Sequence, residues 1–182
     1  MSAYIILDRD GVINFDSDNY IKSPDEWEAI PGSLAAIAAL NRAGYKVLVA
    51  TNQSGIGRGY YDLDTLHRIH EKMCAELALE KGEIEKIFFC PHHPNEGCLC
   101  RKPKPGMLNQ MAATYAINLA DCYFVGDSQS DVAVAQAVGC KPILVKTGKG
   151  ERTLANHPEL THVPVFADLA QAVDFILSKS HD

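Results

Sequence analysis

Short apolar runs that stop abruptly at polar residues, alternating with stretches of helical spacing, constrain this chain more than any other feature. Ala3–Leu7 (AYIIL), Tyr45–Thr51 (YKVLVAT), Glu85–Cys90 (EKIFFC), Cys122–Asp127 (CYFVGD) and Lys141–Gly148 (KPILVKTG) read as strands. Gly32–Gly44 has helical spacing and a glycine stop, and Asp62–Gly82 is a long amphipathic helix with an Asp at its start. Pro105–Ile117 reads as a helix opened by proline, Ser130–Gly139 as another, and His162–Leu177 as a last short strand and helix. Near-continuous apolar strands between helices imply a parallel sheet covered on both faces. Right-handed crossovers then give an α/β fold with a doubly wound, mostly parallel sheet. Ligands bind such sheets at the carboxyl ends of the strands. The segments to examine are therefore DRDG after the first strand, TNQSGIGRG after the second, the Cys/His loop after the third and GDSQSD after the fourth.

The chain has 182 residues, 47% of them hydrophobic and 22% charged, which suits one domain spanning residues 1–182 with a sizeable core. Its net charge of −6 and lack of a basic block argue against nucleic acid or an anionic membrane as partner. The start, MSAYIILDRDG, lacks the pattern of a signal peptide, and no stretch is long enough to span a bilayer, so a cytoplasmic protein is expected. In a reducing compartment, clustered Cys and His point to metal rather than to disulfides. Three of the six cysteines fall in the stretch Cys90–Cys100 with two histidines; Cys74, Cys122 and Cys140 are scattered and are expected to be small buried residues.

Asp8 and Asp10 stand two residues apart at the end of a buried strand. Paired carboxylates can divide nucleophilic and acid/base work, or bind a hard cation such as Mg²⁺; a polar turn capped by Gly11 would have the same sequence. Thr51, Asn52 and the glycines that follow can bind phosphate oxygens, although GIGRG lacks the ending of a Walker loop. Asp127 can complete a cation site with Asp8, and Asp131 is either a further ligand or an acidic residue favoured at a helix N-terminus. Arg101 and Lys102, beside these carboxylates, can neutralise a phosphate.

In this order, DRDG, TNQ, a Lys before a Pro-led helix, and GDSQSD resemble the four motifs of the haloacid dehalogenase (HAD) superfamily of aspartate-nucleophile phosphohydrolases, from Asp8 to about Asp131. TNQSGIGRG, CPHHP and CRKPKPGM further resemble the heptose-bisphosphate phosphatases of the histidinol-phosphatase-related branch. The resemblance implies a Mg²⁺-dependent hydrolase that removes the 7-phosphate of a heptose 1,7-bisphosphate, on the way to the activated heptose of cell-surface polysaccharides. Asp8 would be the nucleophile and Asp10 the acid and base. Asp8, the Asp10 carbonyl and Asp127 would hold Mg²⁺. Thr51, Asn52 and Lys102 would bind the phosphoryl group, and Arg101 would help recognise substrate. Asp16, Ser17, Asp18, Asn19, Tyr20, Gln53 and Ser54 would contact the sugar. Cys90, His92, Cys98 and Cys100 would hold Zn²⁺, leaving His93 spare; four protein ligands leave no open position, so this zinc would be structural.

Two departures stand out. Family members often carry Lys directly after the fourth-motif Asp, where this chain has Ser128, and the Cys/His loop is short, nearer the histidinol-phosphatase type. A large cap domain is not expected, because motifs one and two are separated by little more than a loop and one helix. The partner expected is a small phosphorylated sugar, acted on by a monomer. Histidinol phosphate as substrate, or a zinc-stabilised binding protein without catalysis, are the alternatives.

Overall fold

The computed structural model describes residues 3–180; the first two and last two residues of the expected 1–182 domain lie outside the described residues. Six strands, β1 (Ala3–Leu7), β2 (Tyr45–Asn52), β3 (Lys86–Cys90), β4 (Tyr123–Gly126), β5 (Lys141–Val145) and β6 (Val165–Phe166), form one sheet in the order β3-β2-β1-β4-β5-β6. Every pairing is parallel. The helices are α1 (Ser33–Arg42), α2 (Leu63–Leu79), α3 (Gly106–Tyr115), α4 (Gln129–Val138), α5 (Gly150–Asn156) and α6 (Leu169–Lys179).

The strands are apolar through their central positions because both faces of the sheet are buried there. Ile5 and Leu7 of β1, Val47 and Val49 of β2 and Val125 of β4 pack with Ile37 of α1, Met73 of α2 and Ile176 of α6. The intervening Ile6, Leu48, Ala50 and Phe124 pack on the opposite face with Leu108 and Met111 of α3 and Val134 of α4. A period of two thus survives within the apolar runs, as a choice of core rather than a choice between core and water.

Helix boundaries follow local chemistry. Asp62 caps α2 by accepting from the Thr65 N–H at 2.8 Å. Ser128 and Asp131 cap α4 reciprocally. Pro105, expected just inside its helix, stands at the N-cap of α3. Helix α5 and four short 3₁₀ turns were not legible in the periodicity. One expectation about packing fails: Cys122 and Cys140 are buried, but Cys74 is exposed. The buried stripe of α2 is Leu66, Ile69, His70, Met73 and Leu77, and Cys74, one residue past Met73, is turned 100° away from it.

The strand order sets the site. From β1 the chain moves outward to β2 and β3, then returns across to β4, so the direction of winding reverses between β1 and β4. Such a reversal opens a crevice at the carboxyl ends of the two central strands. Between β1 and β2, and between β2 and β3, the described residues contain one α-helix each and no further sheet, so no large cap covers that crevice.

Candidate active site

Asp8 follows β1 directly and extends its ladder, its N–H donating to the Val125 carbonyl at 2.9 Å. Asp127 follows β4. Both flank the crevice, and both are nearly closed from solvent. Gly11 lets them meet: at φ +83° it lies so close to Asp127 that a Cβ would stand 2.0 Å from Oδ2 of that carboxylate. Gly126 does the same for the neighbouring acid, since a Cβ there would fall 2.3 Å from Cβ of Asp131.

Lys102 reaches this cluster from the segment before α3. Its ammonium donates to Asp131 at 2.7 Å, Asp8 at 3.0 Å and the Ala50 carbonyl at 2.8 Å. An ammonium has three N–H bonds, so this one is fully partnered. Burial alone would depress its pKa, but the charges of Asp131 and Asp8 outweigh burial and hold it above the ordinary lysine value. Burial and the Asp131 charge push the Asp8 carboxyl well up, against the pull of Lys102. The same two causes raise Asp127 to about 7. Asp131 alone stays low: burial is outweighed by Lys102 and by hydrogen bonds that include Ser128.

Carboxylate oxygens of Asp8, Asp127 and Asp131 lie within 4.8 Å of one another, a set able to hold a cation. The oxygens of Asp131 are already occupied by Lys102, the Asp127 and Ser128 N–H groups and the Ser128 hydroxyl. Asp131 is thus both the cap residue of α4 and the counter-ion of Lys102. The S-x-x-D spacing of Ser128 and Asp131 was the sequence signal for it. Asp8 and Asp127 remain the acids with capacity for a metal. Oxygen donors and a surplus of negative charge suit a hard cation such as Mg²⁺.

Asp10 has different surroundings. Burial would raise its pKa, but the Arg9 guanidinium, with hydrogen bonds from Asn14, Arg9 and Gln53, holds it low. Gln53 donates to Asp10 Oδ2 at 3.0 Å and to Thr51 Oγ1 at 2.9 Å, and accepts from the Tyr61 hydroxyl at 2.5 Å. Two acids two residues apart are therefore driven in opposite directions: without a cation Asp8 is pushed toward its neutral form and Asp10 toward the carboxylate, and positive charge beside Asp8 and Asp127 would bring Asp8 back to its ionised form.

The crevice is a cleft of about 270 Å³ lined by Asp8, Asp10, Asp127, Lys102, Asn52, Gln53 and Ser54, with Asp16, Ser17, Asp18, Tyr20 and Arg101 toward its mouth. Thr51 and Asn19 do not line it. Thr51 is only 1% exposed and is occupied by Gln53; Asn19 is exposed, with its N–H on Ser17. The Asn52 side chain accepts from the Lys102 N–H at 3.0 Å and donates to the Lys102 carbonyl at 3.2 Å, so it acts as a backbone clamp. Arg101 Nη1 is buried with no partner among the described residues. Ser128, the residue after the fourth-motif Asp, also lines the cleft, as do Arg58, Ser130 and Lys149, which were not singled out in the sequence. Lys149 comes from the turn before α5, where its N–H donates to Asp127 Oδ2 at 2.8 Å.

The second cluster lies on the loop after β3. Ligand atoms of Cys90, His92, Cys98 and Cys100 all lie within 4.8 Å of one another. Cys90 Sγ is 3.6 Å from Cys98 Sγ and 3.5 Å from His92 Nδ1. A tetrahedral zinc with Zn–S of about 2.3 Å requires S–S edges of about 3.8 Å; the donor types suit zinc and the Cys90–Cys98 edge is near that length, while Cys100 Sγ, 2.9 Å from Cys90 Sγ, would have to move outward to bind it. No disulfide joins the cysteines. Burial works against ionisation of Cys98, but the Arg101 and Cys100 N–H groups bring its thiol down to about 6. His93 is outside the cluster; its ring accepts from the Asn95 N–H at 3.0 Å. The loop is tied to the cleft by Gly57 N–H donating to the Pro91 carbonyl at 2.8 Å.

A switch-point cleft holding an aspartate at the end of each central strand and a lysine between them is the architecture of the HAD-like hydrolases, and a HAD-hydrolase-like family model matches residues 99–172. The chain is 59% identical over 167 residues to the D-glycero-β-D-manno-heptose-1,7-bisphosphate 7-phosphatase of Pseudomonas putida, covering 91% of this chain and 94% of that one. It is 55% identical to the same enzyme of Pseudomonas aeruginosa, over 96% of this chain and 98% of the relative. Among solved structures, the D,D-heptose 1,7-bisphosphate phosphatase of Bordetella bronchiseptica, complexed with magnesium and phosphate, matches with a TM-score of 0.94 and 50% identity, over 97% of this chain and 99% of that one. The chain belongs to this family of heptose-bisphosphate phosphatases within the HAD-like hydrolases.

Proposed function

We propose that this protein hydrolyses the 7-phosphate of D-glycero-β-D-manno-heptose 1,7-bisphosphate, with Mg²⁺ held by Asp8, Asp127 and the Asp10 carbonyl. The observation that carries this reading is the buried Asp8, paired with Lys102 and facing Asp127 across the switch point. Mg²⁺ bound there supplies positive charge that lets an anionic nucleophile approach an anionic phosphate. The raised pKa values of Asp8 and Asp127 mark the charge surplus that such a cation relieves.

Asp8 attacks phosphorus, forming a bond to one carboxylate oxygen as the bond from phosphorus to the sugar oxygen breaks. Asp10 gives its proton to that departing oxygen. It then takes a proton from the water that attacks the aspartyl-phosphate, releasing phosphate and restoring Asp8. The low pKa of Asp10 suits the second step; the negative charge of bound substrate favours the protonated form needed for the first. Lys102 holds Asp8 in place and balances charge. Asn52 and Thr51 support the phosphoryl end by fixing Lys102 and Gln53. Asp16, Ser17, Asp18, Tyr20, Ser54 and Arg101 line the path of the sugar.

Cys90, His92, Cys98 and Cys100 hold a structural Zn²⁺, and the segment that follows delivers Arg101 and Lys102 to the cleft. Thiol ligands in that state belong in a reducing compartment, which supports a cytoplasmic setting. No helix among the described residues is long and apolar enough to cross a membrane. One domain over residues 1–182, working as a monomer, is consistent with a site built from a single sheet.

The test is phosphate release with Mg²⁺ over a panel of both heptose bisphosphate anomers, fructose 1,6-bisphosphate and histidinol phosphate. The heptose bisphosphate is expected to exceed the others in kcat/KM by about 10²-fold or more, the range open to a site that hydrogen-bonds substrate hydroxyls. Good turnover of histidinol phosphate with none of the heptose would overturn the assignment.

A further inference from the structure

Arg9 and His70 form a buried polar pair that the reaction as described does not use. Arg9, the middle residue of DRD, is 0% exposed, and His70 stands in the buried stripe of α2, where an apolar side chain would be the ordinary occupant. The Arg9 guanidinium donates from Nε and Nη2 to Asp10 Oδ1 at 3.0 and 2.7 Å. Its remaining arm, Nη1, lies 3.1 Å from His70 Nε2. A guanidinium has only donors, so His70 Nε2 accepts, and the ring is neutral with its proton on Nδ1. Burial, and then the Arg9 charge, keep it so by lowering His70 to about 3.

The consequence falls on Asp10. Asn14 Nδ2 adds a third donor to Oδ1 at 2.9 Å. Among the described residues, Oδ2 accepts only from Gln53. With Oδ1 saturated by three N–H groups, a proton on Asp10 resides on Oδ2. We propose that His70 is a positioning residue for proton transfer: through Arg9 it fixes the Asp10 carboxylate so that Oδ2 carries the proton and delivers it to the departing sugar oxygen. This rests on the assignment of Asp10 as acid and base. The bond made is O–H on the sugar, the bond broken is O–H on Asp10 Oδ2, and Asp10 is left as the carboxylate that Arg9 already stabilises.

The test compares two leaving groups in kcat/KM, which reports phosphoryl transfer to Asp8 without the later hydrolysis. A sugar alkoxide needs a proton as it departs; nitrophenolate, from p-nitrophenyl phosphate, does not. His70→Leu keeps the volume of the side chain and removes the acceptor. It should lower kcat/KM on heptose bisphosphate by about tenfold or more, a fraction of the 10²–10⁴-fold that a positioned acid contributes. On p-nitrophenyl phosphate it should change kcat/KM by less than about twofold, and inhibition by inorganic phosphate should not move. His70→Gln, whose Oε1 can accept from Arg9, should recover most of the loss. A purely structural His70 would lower both substrates together, or give a Gln variant no better than Leu, and either result overturns the proposal. So would a Leu variant with wild-type values on both. If His70→Leu does not fold, as judged by circular dichroism, His70→Met serves with the same criteria. Asp10→Asn is run on the same pair of substrates: if it fails to separate them, the acid role of Asp10 is what fails; if it separates them and the His70 variants do not, only the positioning role falls.

Discussion

The acidic cleft and the Cys/His loop each gather four side chains around a place for a cation, by opposite means. Asp8, Lys102, Asp127 and Asp131 come from three distant parts of the chain and are all buried. Strand register and glycine contacts bring them together, and Lys102 is a built-in counter-ion. Cys90, His92, Cys98 and Cys100 come from eleven consecutive positions, and three of the four are only half-buried. Between two of them Leu99 stands 78% exposed, so the loop has little core of its own. The cleft is assembled by the fold before any metal arrives, so its metal can be an exchangeable reagent. On the reading proposed above, the loop would be held by its metal, which would make that metal a part of the structure.

The largest expected effect tests the cleft. Asp8→Asn should lower turnover by about 10³-fold or more, because the nucleophile is gone. In Mg²⁺-free buffer the same variant should melt higher than the wild type, by about 3 °C for ~1 kcal/mol of relieved repulsion. The sign follows from the raised Asp8 pKa: its charge is a cost in the folded state at neutral pH. A variant that melts lower would show that Lys102 has lost more than the acids have gained.

The next effect tests the loop. Cys98→Ser should lose zinc on metal analysis and melt lower, by about 9 °C for a loss of ~3 kcal/mol at this chain length. Its kcat/KM should fall as Arg101 and Lys102 lose their support, while the Mg²⁺ concentration needed for half-activity stays nearly constant. Asn52 also grips Lys102, so the fall should be partial. Loss of zinc with stability and kinetics unchanged would refute the aiming role and leave Asn52 as the sole clamp.

The smallest effect lies beside the cleft. With its folded pKa lowered from 6.5 to about 3, His70 is neutral in the native state while the unfolded chain takes up a proton. Its contribution to stability is therefore complete above pH 6.5 and falls with acid toward pH 3, by at most about 1.4 kcal/mol per pH unit. Asp127 works the other way: with a folded pKa raised to about 7, it favours folding most below 3.8 and loses that advantage as pH rises toward 7. Comparing urea unfolding of the wild type and His70→Gln at pH 7 and pH 5 isolates the histidine. The variant should lose about 2 kcal/mol less than the wild type between them. Equal losses would mean that His70 is not held neutral.

The strands, the main helices and their order were legible because burial on both faces forces apolar runs, and because caps such as Asp62 and Ser128 have recognisable side chains. Helix α5 was not: its seven residues, GERTLAN, carry little apolar periodicity, and its N-cap is Lys149 with no side-chain cap. Cys74 was misplaced because a one-residue step around a helix exchanges core for solvent. Asp8, Asp10, Asp127 and the four Cys/His positions were visible as motifs, since strand ends and clustered spacings mark them. Asn52 was visible too, but its grip on Lys102 was not.

The sequence by itself determined the class of sheet, the edge on which the polar strand-end residues lie and the two groups of candidate cation ligands. Those follow from hydrophobic period and from short spacings along one stretch of chain. The tertiary structure alone decided the partnerships across distance. It set Asp131 against Lys102, Lys149 against Asp127, and His70 against Arg9, pairs separated by 29, 22 and 61 residues. No local rule encodes such pairs. Each arises where two buried charges or donors from different elements must satisfy one another, and only the packing of those elements says which two will meet.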